Sequence, residues 1–425
     1  MKANPDKSNI DSLVDRHFRR EHGTLMAVLV GLFGTENLEL AEDIVQDTLL
    51  KALQHWKAKG IPDNPSGWLY KVAKNQAYNT LKREKYKKRY QASQPPQTSG
   101  EINLEEIFDT ASIKDEQLKM MFACCDSVLS QESQVALILK TLCGFSVDEI
   151  TRAFLTKKET ITKRLTRART TMRHAGVSFA LPPDNALEER LDSILQTIYL
   201  IYNEGYNASG GDRLIRKELC EEGIRLANFL ASCPVGNKPK THALLGLMYF
   251  NFSRFETRLN KNKEIILLAD QDRSRWNHEH IALGFYHLSK IVEEEEVSTY
   301  HLQAAISACH ASADTSEKTD WHKIVTLYNY LQKIDPSPVV LLNKAVALGN
   351  INKISEAIQL LDQEEVKTSL SDYYLYFVVF SDLLMKQEQY KKAKKLLIKA
   401  LNLTNIKAEK HLITSRLTFC TSKIS

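Results

Sequence analysis

The side chains best suited to chemistry in this chain are basic and hydroxyl groups gathered on one stretch, FSVDEITRAFLTKKETITKRLTRART, residues 145–170. Ser146 followed three residues later by Glu149 makes a capping box that starts a helix, with Ile150 and Ala153 facing inward. Leu155 and Thr156 form a turn, and a second helix begins near Lys157. Ile161, Leu165 and Ala168 recur at i, i+4 and i+7 and form its apolar stripe. The remaining surface carries Glu159, Thr162, Lys163, Thr166 and Arg167, with Lys158, Thr160 and Arg164 beside them. Short or basic side chains of this kind suit a DNA major groove: Thr toward base edges, Lys and Arg toward phosphates or guanine. Arg169 and Arg173 extend the charge along the flanks. Arg152, Lys157, Lys158, Lys163, Arg164, Arg167, Arg169 and Arg173 face only Asp148, Glu149 and Glu159. A helix that is merely solvated would mix the signs more evenly.

A second basic element is PSGWLYKVAKNQAYNTLKREKYKKRY, residues 65–90. Ser66 is placed to cap a helix whose apolar stripe is Leu69, Val72, Ala73, Ala77 and Leu81. Trp68, Tyr70, Lys71, Lys74, Asn75 and Tyr78 are left for other work. Aromatic rings beside basic groups suit unpaired bases, the ring stacking while Lys holds a phosphate. Trp68 fits a core position equally well. The basic tail KREKYKKR would add phosphate contacts. Before this element lies LELAEDIVQDTLLKALQHW, residues 38–56, with Leu40, Ile44, Val45, Leu49 and Leu53 as its inner stripe. Asp43, Gln46, Asp47 and Leu50 lie toward the other side. That face would repel phosphate, so it is either a protein-docking face or plain solvated surface.

The elements that position these residues are helical almost throughout, because strand signals are scarce and helical periodicity is nearly continuous. A chain of 425 residues, 43% hydrophobic and 26% charged, predicts an all-α protein of two or three folding units. Residues 1–180 hold 27 Lys and Arg against 22 Asp and Glu, so the whole net charge of +5 lies in the front part. Residues 10–90 form the first unit, residues 91–112 a linker around QASQPPQTSG, and residues 113–178 a second unit. Residues 185–425 form a helical tail with a weak internal repeat. In it Ala345 stands twelve residues before Ala357, and Ser381 twelve before Ala393. Small residues at that spacing let the two helices of a hairpin approach closely.

Seven cysteines without a C-x-x-C pattern argue against a disulfide framework or zinc site, and Cys124 and Cys125 read as small buried thiols. NEGYNASGGDR lacks the phosphate-loop pattern, and His278, His280 and His287 do not form a zinc-protease motif. The run Glu293–Glu296 is read as a solvated face. No cofactor, metal or catalytic group is expected. With no apolar core near the amino end and no long apolar run, a cytoplasmic, non-membrane protein is expected.

AEDIVQDTLLKAL, WLYKVAKNQAYNTLKR and GFSVDEITRAFLTKKETITKRLTRAR, in this order, resemble a bacterial sigma-70 family RNA polymerase sigma factor of the extracytoplasmic-function group. The likeness covers roughly residues 10–175. The rest resembles the tetratricopeptide-like extension of one subgroup, with IYNEGYNASGGDRLIRKELCEEGIRLA similar to its junction. The resemblance implies that Asp43, Gln46, Asp47 and Leu50 dock on core RNA polymerase. It implies that Asn64, Ser66, Trp68, Tyr70, Lys71, Lys74 and Asn75 recognise and melt the −10 promoter element. It also implies that Lys158, Thr160, Thr162, Lys163, Arg164, Thr166 and Arg167 read the −35 element in double-stranded DNA. Thr162 stands where family members often carry a basic residue. The group generally works with a membrane anti-sigma partner, whereas the tail here points to regulation within the chain or through a protein bound to it. Two other readings stand beside this one: a helix-turn-helix regulator that acts without polymerase, and a repeat-based interaction scaffold.

Overall fold

The computed structural model describes residues 7–91, 110–154, 156–206, 216–260, 262, 264–291 and 297–424, with side chains from residue 18 to 83 and from 112 onward. Most of the predicted linker, Leu155, most of the glycine-rich junction and Glu293–Glu296 lie outside them. The regular structure among the described residues is helical, apart from one isolated bridge between Leu259 and Ile265. No helix among them is long and apolar enough to cross a membrane. The chain divides into two compact units, residues 1–200 and 201–425.

In the first unit, α1 (Lys7–Phe33) is followed by a 3-10 turn (Thr35–Asn37), α2 (Leu38–Lys59) and α3 (Pro65–Gln91). Then come α4 (Thr110–Cys124), α5 (Gln131–Thr141), α6 (Val147–Ala153), α7 (Lys158–Ala175) and α8 (Asp184–Tyr206). The run Leu25–Val30 is at most 1% exposed at every position. A helix apolar all round must be covered on every side, and α1 packs against α2 and α3 as well as α4 and α5. The sequence reading separates residues 10–90 from 113–178, but here both share α1 as a common core. Gly23 makes the junction close: a Cβ there would stand 2.2 Å from the carbonyl oxygen of Leu142. Cys124 and Cys125 are fully buried, as expected, and burial pushes the Cys124 thiol up to about 12.

The unit boundary lies inside α8, not near residue 185 as the sequence suggests. Polar contacts give the physical reason. Arg190 pairs with Asp126 at 2.7 Å and donates to the carbonyl of Phe122 at 2.9 Å. Ser193 and Thr197 both donate to Oε1 of buried Gln134, at 3.2 and 3.0 Å. The Gln134 amide nitrogen donates in turn to the carbonyls of Asp126 and Leu129.

The second unit contains α9 (Lys217–Ala231), α10 (Pro239–Ser253), α11 (His278–Ser289), α12 (Thr299–Ala311) and α13 (Trp321–Ile334). It continues through α14 (Pro338–Asn350), α15 (Ile354–Leu361), α16 (Glu364–Ser369), α17 (Tyr374–Lys386), α18 (Tyr390–Leu403) and α19 (Lys407–Ile424). Consecutive helices pack on one another, notably α14 on α15 and α17 on α18. The expected small residues sit between them: Ala345, Ala357, Ser381, Ala393 and Ala400 are all fully buried. The two hairpins turn at Asn352 (φ 63°) and Glu388 (φ 60°), left-handed residues 36 positions apart like Ala357 and Ala393. The repeat visible in the sequence is therefore a repeat of turn geometry as well as of packing.

Cutting the chain after residue 185 removes both hydroxyl donors from buried Gln134. Each buried polar group left unsatisfied costs about 1–3 kcal/mol. A fragment ending at residue 185 should therefore melt well below one ending at residue 206 when the two are compared by circular dichroism. Equal melting would show that α8 is not part of the first unit.

Candidate nucleic-acid interface

The pair α6 and α7 forms from local rules. Ser146 accepts from the Glu149 backbone N–H, and the Glu149 carboxylate accepts from Ser146 N at 2.8 Å, the reciprocal capping box expected. Ile150 and Ala153 are buried on α6, and Ile161, Leu165, Ala168 and Met172 are at most 3% exposed on α7. Gly176 ends α7 in a left-handed conformation, φ 61°. Once that stripe is buried, the pitch of the helix places Lys158, Thr160, Thr162, Lys163, Thr166 and Arg167 outward, and all six are exposed. Arg164 is half-buried. Thr162 donates to the Lys158 carbonyl at 3.0 Å, and the exposed Lys158 pairs with Asp148 at 2.9 Å.

One flanking arginine, Arg169, faces inward, contrary to the sequence reading, while Arg173 stays exposed. Arg169 pairs with Glu42 at 2.5 Å, and Arg173 donates to the Glu36 carbonyl at 3.2 Å. Arg169 therefore ties α7 to α2, and Arg173 ties it to the 3-10 turn before α2. Glu42 also pairs with Lys140 of α5 at 2.6 Å. The three side chains are between 12% and 17% exposed. Burial acts to raise the Glu42 pKa. Its hydrogen bond to Lys140 and the charges of Lys140 and Arg169 outweigh that and hold it below the usual carboxylate range. Nearby His22 stays neutral, its pKa lowered to about 4 by burial and then by Lys140. A second tie joins Arg19 to Glu149, so the acid of the capping box also anchors α6 to α1. The Arg19 guanidinium lies 4.8 Å from the centre of the Phe145 ring. Thr35 closes the junction by donating to the Val177 carbonyl at 2.7 Å.

On α2, Asp43, Gln46, Asp47 and Leu50 are all exposed, and Gln46 donates to Glu42 at 3.2 Å. Leu53, expected inside, is 50% exposed beside Leu50 at 53%. Thr48, Ala52 and Trp56 occupy the inner positions instead. Thr48 serves there because its hydroxyl donates to the Ile44 carbonyl at 2.7 Å and accepts from Gln76 at 3.1 Å. The exposed face thus joins acids to two leucines.

Along α3 the candidates separate. Asn64, not Ser66, receives the first turn: its side-chain oxygen accepts from Gly67 N at 2.9 Å, with Pro65 at the first helical position. Ser66 instead donates to Glu21 at 2.8 Å. Tyr70 is turned toward the same acid; burial, followed by the charge and hydrogen bond of Glu21, pushes its phenol well up. Trp68 is half-buried, stacked on His55 at 5.2 Å and edge-on to Trp56 at 5.8 Å. Lys71 and Asn75 are exposed, and Lys74 is half-buried. Tyr78, 56% exposed, continues that face. Ser66 and Tyr70 hold α3 to α1; Lys71, Asn75 and Tyr78 form the open surface.

The sequence reading passed over Glu42 and Lys140. Their only sequence signal is a charge at a position flanked by inward-facing residues, Ala41 and Val45 for Glu42 and Leu139 and Thr141 for Lys140. The three histidines around α11 are not gathered into one cluster. His287 meets His242 at 2.9 Å, while His280 packs against Tyr249 and Phe252. Among the described residues, no three His, Cys, Asp or Glu side chains are grouped to hold a metal ion.

These features define an all-α protein with an acidic, leucine-bearing helix face and a basic helix face in its first unit. Residues 17–86 match the sigma-70 region 2 family, so a sigma-70 region 2 domain is present, followed by a helical carboxy-terminal domain. That domain supports a sigma-70 family sigma factor that takes part in transcription initiation, with core RNA polymerase and promoter DNA as the implied partners. Residues 190–292 match a family of unknown function (DUF6596). An uncharacterized protein of Rhizobium meliloti (strain 1021) is 34% identical over 346 residues, 80% of each chain, and this chain belongs to the same family. No solved structure matches the chain.

Removing the Glu42 charge leaves Lys140 and Arg169 packed together with only the exposed Glu39, 3.9 Å from Arg169, as an anion. Breaking a buried pair from one side costs about 3–5 kcal/mol. Glu42→Gln should lower stability by about that much in urea titrations at pH 7. Because the folded-state pKa of Glu42 is depressed, its contribution is present above the ordinary carboxylate pKa and is lost as pH falls through the lowered value. The difference between wild type and variant should therefore shrink below the usual carboxylate range. A difference independent of pH would exclude the charge as its cause.

Proposed function

We propose that this protein is a sigma factor of the extracytoplasmic-function type whose α6 and α7 form a helix-turn-helix that reads the −35 element. It binds DNA and polymerase in the cytoplasm and leaves the chemistry to the polymerase. The observation that carries this reading is the outward face of α7. Thr162, Lys163, Thr166 and Arg167 are exposed together, in the same unit as a sigma-70 region 2 domain. Small hydroxyls between basic groups on an exposed helix face suit entry into a major groove. Asp43, Gln46, Asp47 and Leu50, extended by Leu53, form the proposed polymerase-docking face. Lys71, Lys74 and Asn75, with Trp68 at the edge, carry the proposed −10 contacts. The tail is assigned a regulatory role.

This action requires movement in the first unit. Two elements about 25 base pairs apart are separated by on the order of 85 Å of duplex. Here Glu42 of α2 and Arg169 of α7 are in direct contact. Simultaneous reading of both elements therefore requires the Glu42 and Arg19 ties to part, and polymerase binding is the step that compensates for their loss.

Replacing Asp43 and Asp47 with Lys should weaken pull-down of core polymerase while helicity stays normal. Retained pull-down would remove the docking assignment. Substituting Ala for Lys163 or Arg167 should cost about 1–3 kcal/mol if the side chain makes a bidentate base contact. A phosphate contact would instead lower the salt slope by about one and leave sequence preference unchanged. Footprints and salt titrations identical to wild type would dismiss both residues as DNA contacts. Such a result, with polymerase binding intact, would favour a partner-binding role for this helix.

A further inference from the structure

We propose that Arg254 and Arg273, in the second unit, form a binding site for a phosphate group, free or carried on a small ester. The starting observation is a buried cation without a carboxylate of its own. Arg273 is 6% exposed. An arginine is almost never buried to that extent unless an anion pairs with it. Its guanidinium donates only to neutral acceptors: the carbonyls of His310 and Ala313 at 2.8 and 3.0 Å, and the Thr319 hydroxyl at 2.9 Å. Its Nε has no hydrogen-bond partner. The three bonds fix the end of α12, but none of them offsets the charge.

A second cation stands beside it. Arg254 follows α10, and the Ser253 carbonyl accepts from Asn277 N at 2.7 Å, which holds the 3-10 turn Arg273–Arg275 against that helix end. Thr257 donates to Gln271 at 3.3 Å and joins the same two segments. Arg254 is half-buried, donates to Asn251 at 3.4 Å and lies 5.8 Å from the centre of the Tyr206 ring. Arg258 covers the same ring at 3.8 Å. Tyr206 is 6% exposed, and its hydroxyl has no partner. Burial, and then the charge of Arg254, lower the pKa of the Arg273 guanidinium. Burial followed by Arg254 and Arg273 lowers His310 to about 3, so that ring is neutral, and its Nδ1 has no partner. Neighbouring acids are engaged elsewhere: Asp272 by Ser274, Asp314 by Lys318, and Asp320 as the cap of α13. Glu317 acts on Arg273 only from the exposed surface. Among the described residues no carboxylate forms an ion pair with Arg254 or Arg273.

The two guanidinium groups select the ligand. Each is a planar fork that matches the oxygens of a carboxylate or a phosphate. A single carboxylate offsets one of the two charges. A phosphate group carries about −1.5 to −2 charges near neutral pH and offers strong acceptor oxygens to both forks. The half-buried Arg254 is the side on which the cluster meets solvent, so the ligand enters there. This inference concerns the second unit alone and stands whether or not the first unit reads promoters.

The test titrates the full-length protein with inorganic phosphate and with glycerol 3-phosphate, by calorimetry and thermal melting, against sodium chloride at matched ionic strength. The melting temperature should rise with phosphate concentration, as binding to the folded form requires. In wild type the imidazole resonances of His310 should move as phosphate saturates. Arg254→Gln should weaken binding by at least about tenfold, equal to about 1.4 kcal/mol. Arg254→Lys, which keeps the charge and loses the fork, should fall between the two and supplies a milder probe if the glutamine variant does not fold by circular dichroism. Arg275→Gln, a charge removed from an exposed neighbour, should bind like wild type. Tighter binding of the ester identifies the phosphoryl group of a small metabolite, and binding of inorganic phosphate at least as tight identifies the free ion. Melting no higher than in chloride with both phosphates, unmoved His310 resonances, or undiminished binding by folded Arg254→Gln would overturn the proposal. So would succinate binding as tightly as phosphate.

Discussion

One carboxylate sets the arrangement of the first unit. Glu42 stands on α2, whose outer face bears the acids and leucines of the proposed docking surface, and it meets Lys140 of α5 and Arg169 of α7. Three charged groups taken largely out of water are tolerable only while they neutralise one another. The pairing therefore does more than add a contact, because it makes the positions of α2, α5 and α7 mutually dependent. It also consumes charge. Arg169, directed to Glu42, is withdrawn from the basic surface. The proposed nucleic-acid face is left to the residues that point away from the junction.

The apolar counterpart of that tie is α1. Its run Leu25–Val30 is buried on all sides, so it cannot serve one small domain and leave a free face. The helices before and after the linker both pack on it. The missing side chain of Gly23 lets the backbone at Leu142 approach. Glu149 illustrates how tightly local and long-range structure are joined here. One of its oxygens completes the cap of α6 and the other receives Arg19.

The second unit follows a different principle. Its helices pack mainly on their neighbours in sequence, with small residues at the close crossings and left-handed residues at equivalent turns. The second unit, residues 201–425, holds 29 Lys and Arg against 26 Asp and Glu, and Lys392, Lys395 and Lys399 gather part of that excess on one exposed side of α18. Local charge arrangement, and not the net value, decides what such a surface can attract.

The sequence by itself determined the features that rest on short-range rules. Helical content followed from periodicity, the capping box from Ser146 and Glu149, and the outward face of α7 from its apolar stripe. The buried alanines of the hairpins were legible because close helix approach requires small side chains at a fixed spacing. Candidate residues were harder to sort on α3. Ser66 and Tyr70 have the same composition signal as Lys71 and Asn75, but Glu21, distant in sequence, draws the first two inward. Leu53 was misplaced because a helical wheel accepts several apolar stripes, and the packing around Trp56 selects one. The shared core on α1, the extension of the first unit into α8 and the charge tie at Glu42 were decided only by the tertiary structure. Each depends on partners tens to more than a hundred residues away, whose meeting no local pattern encodes.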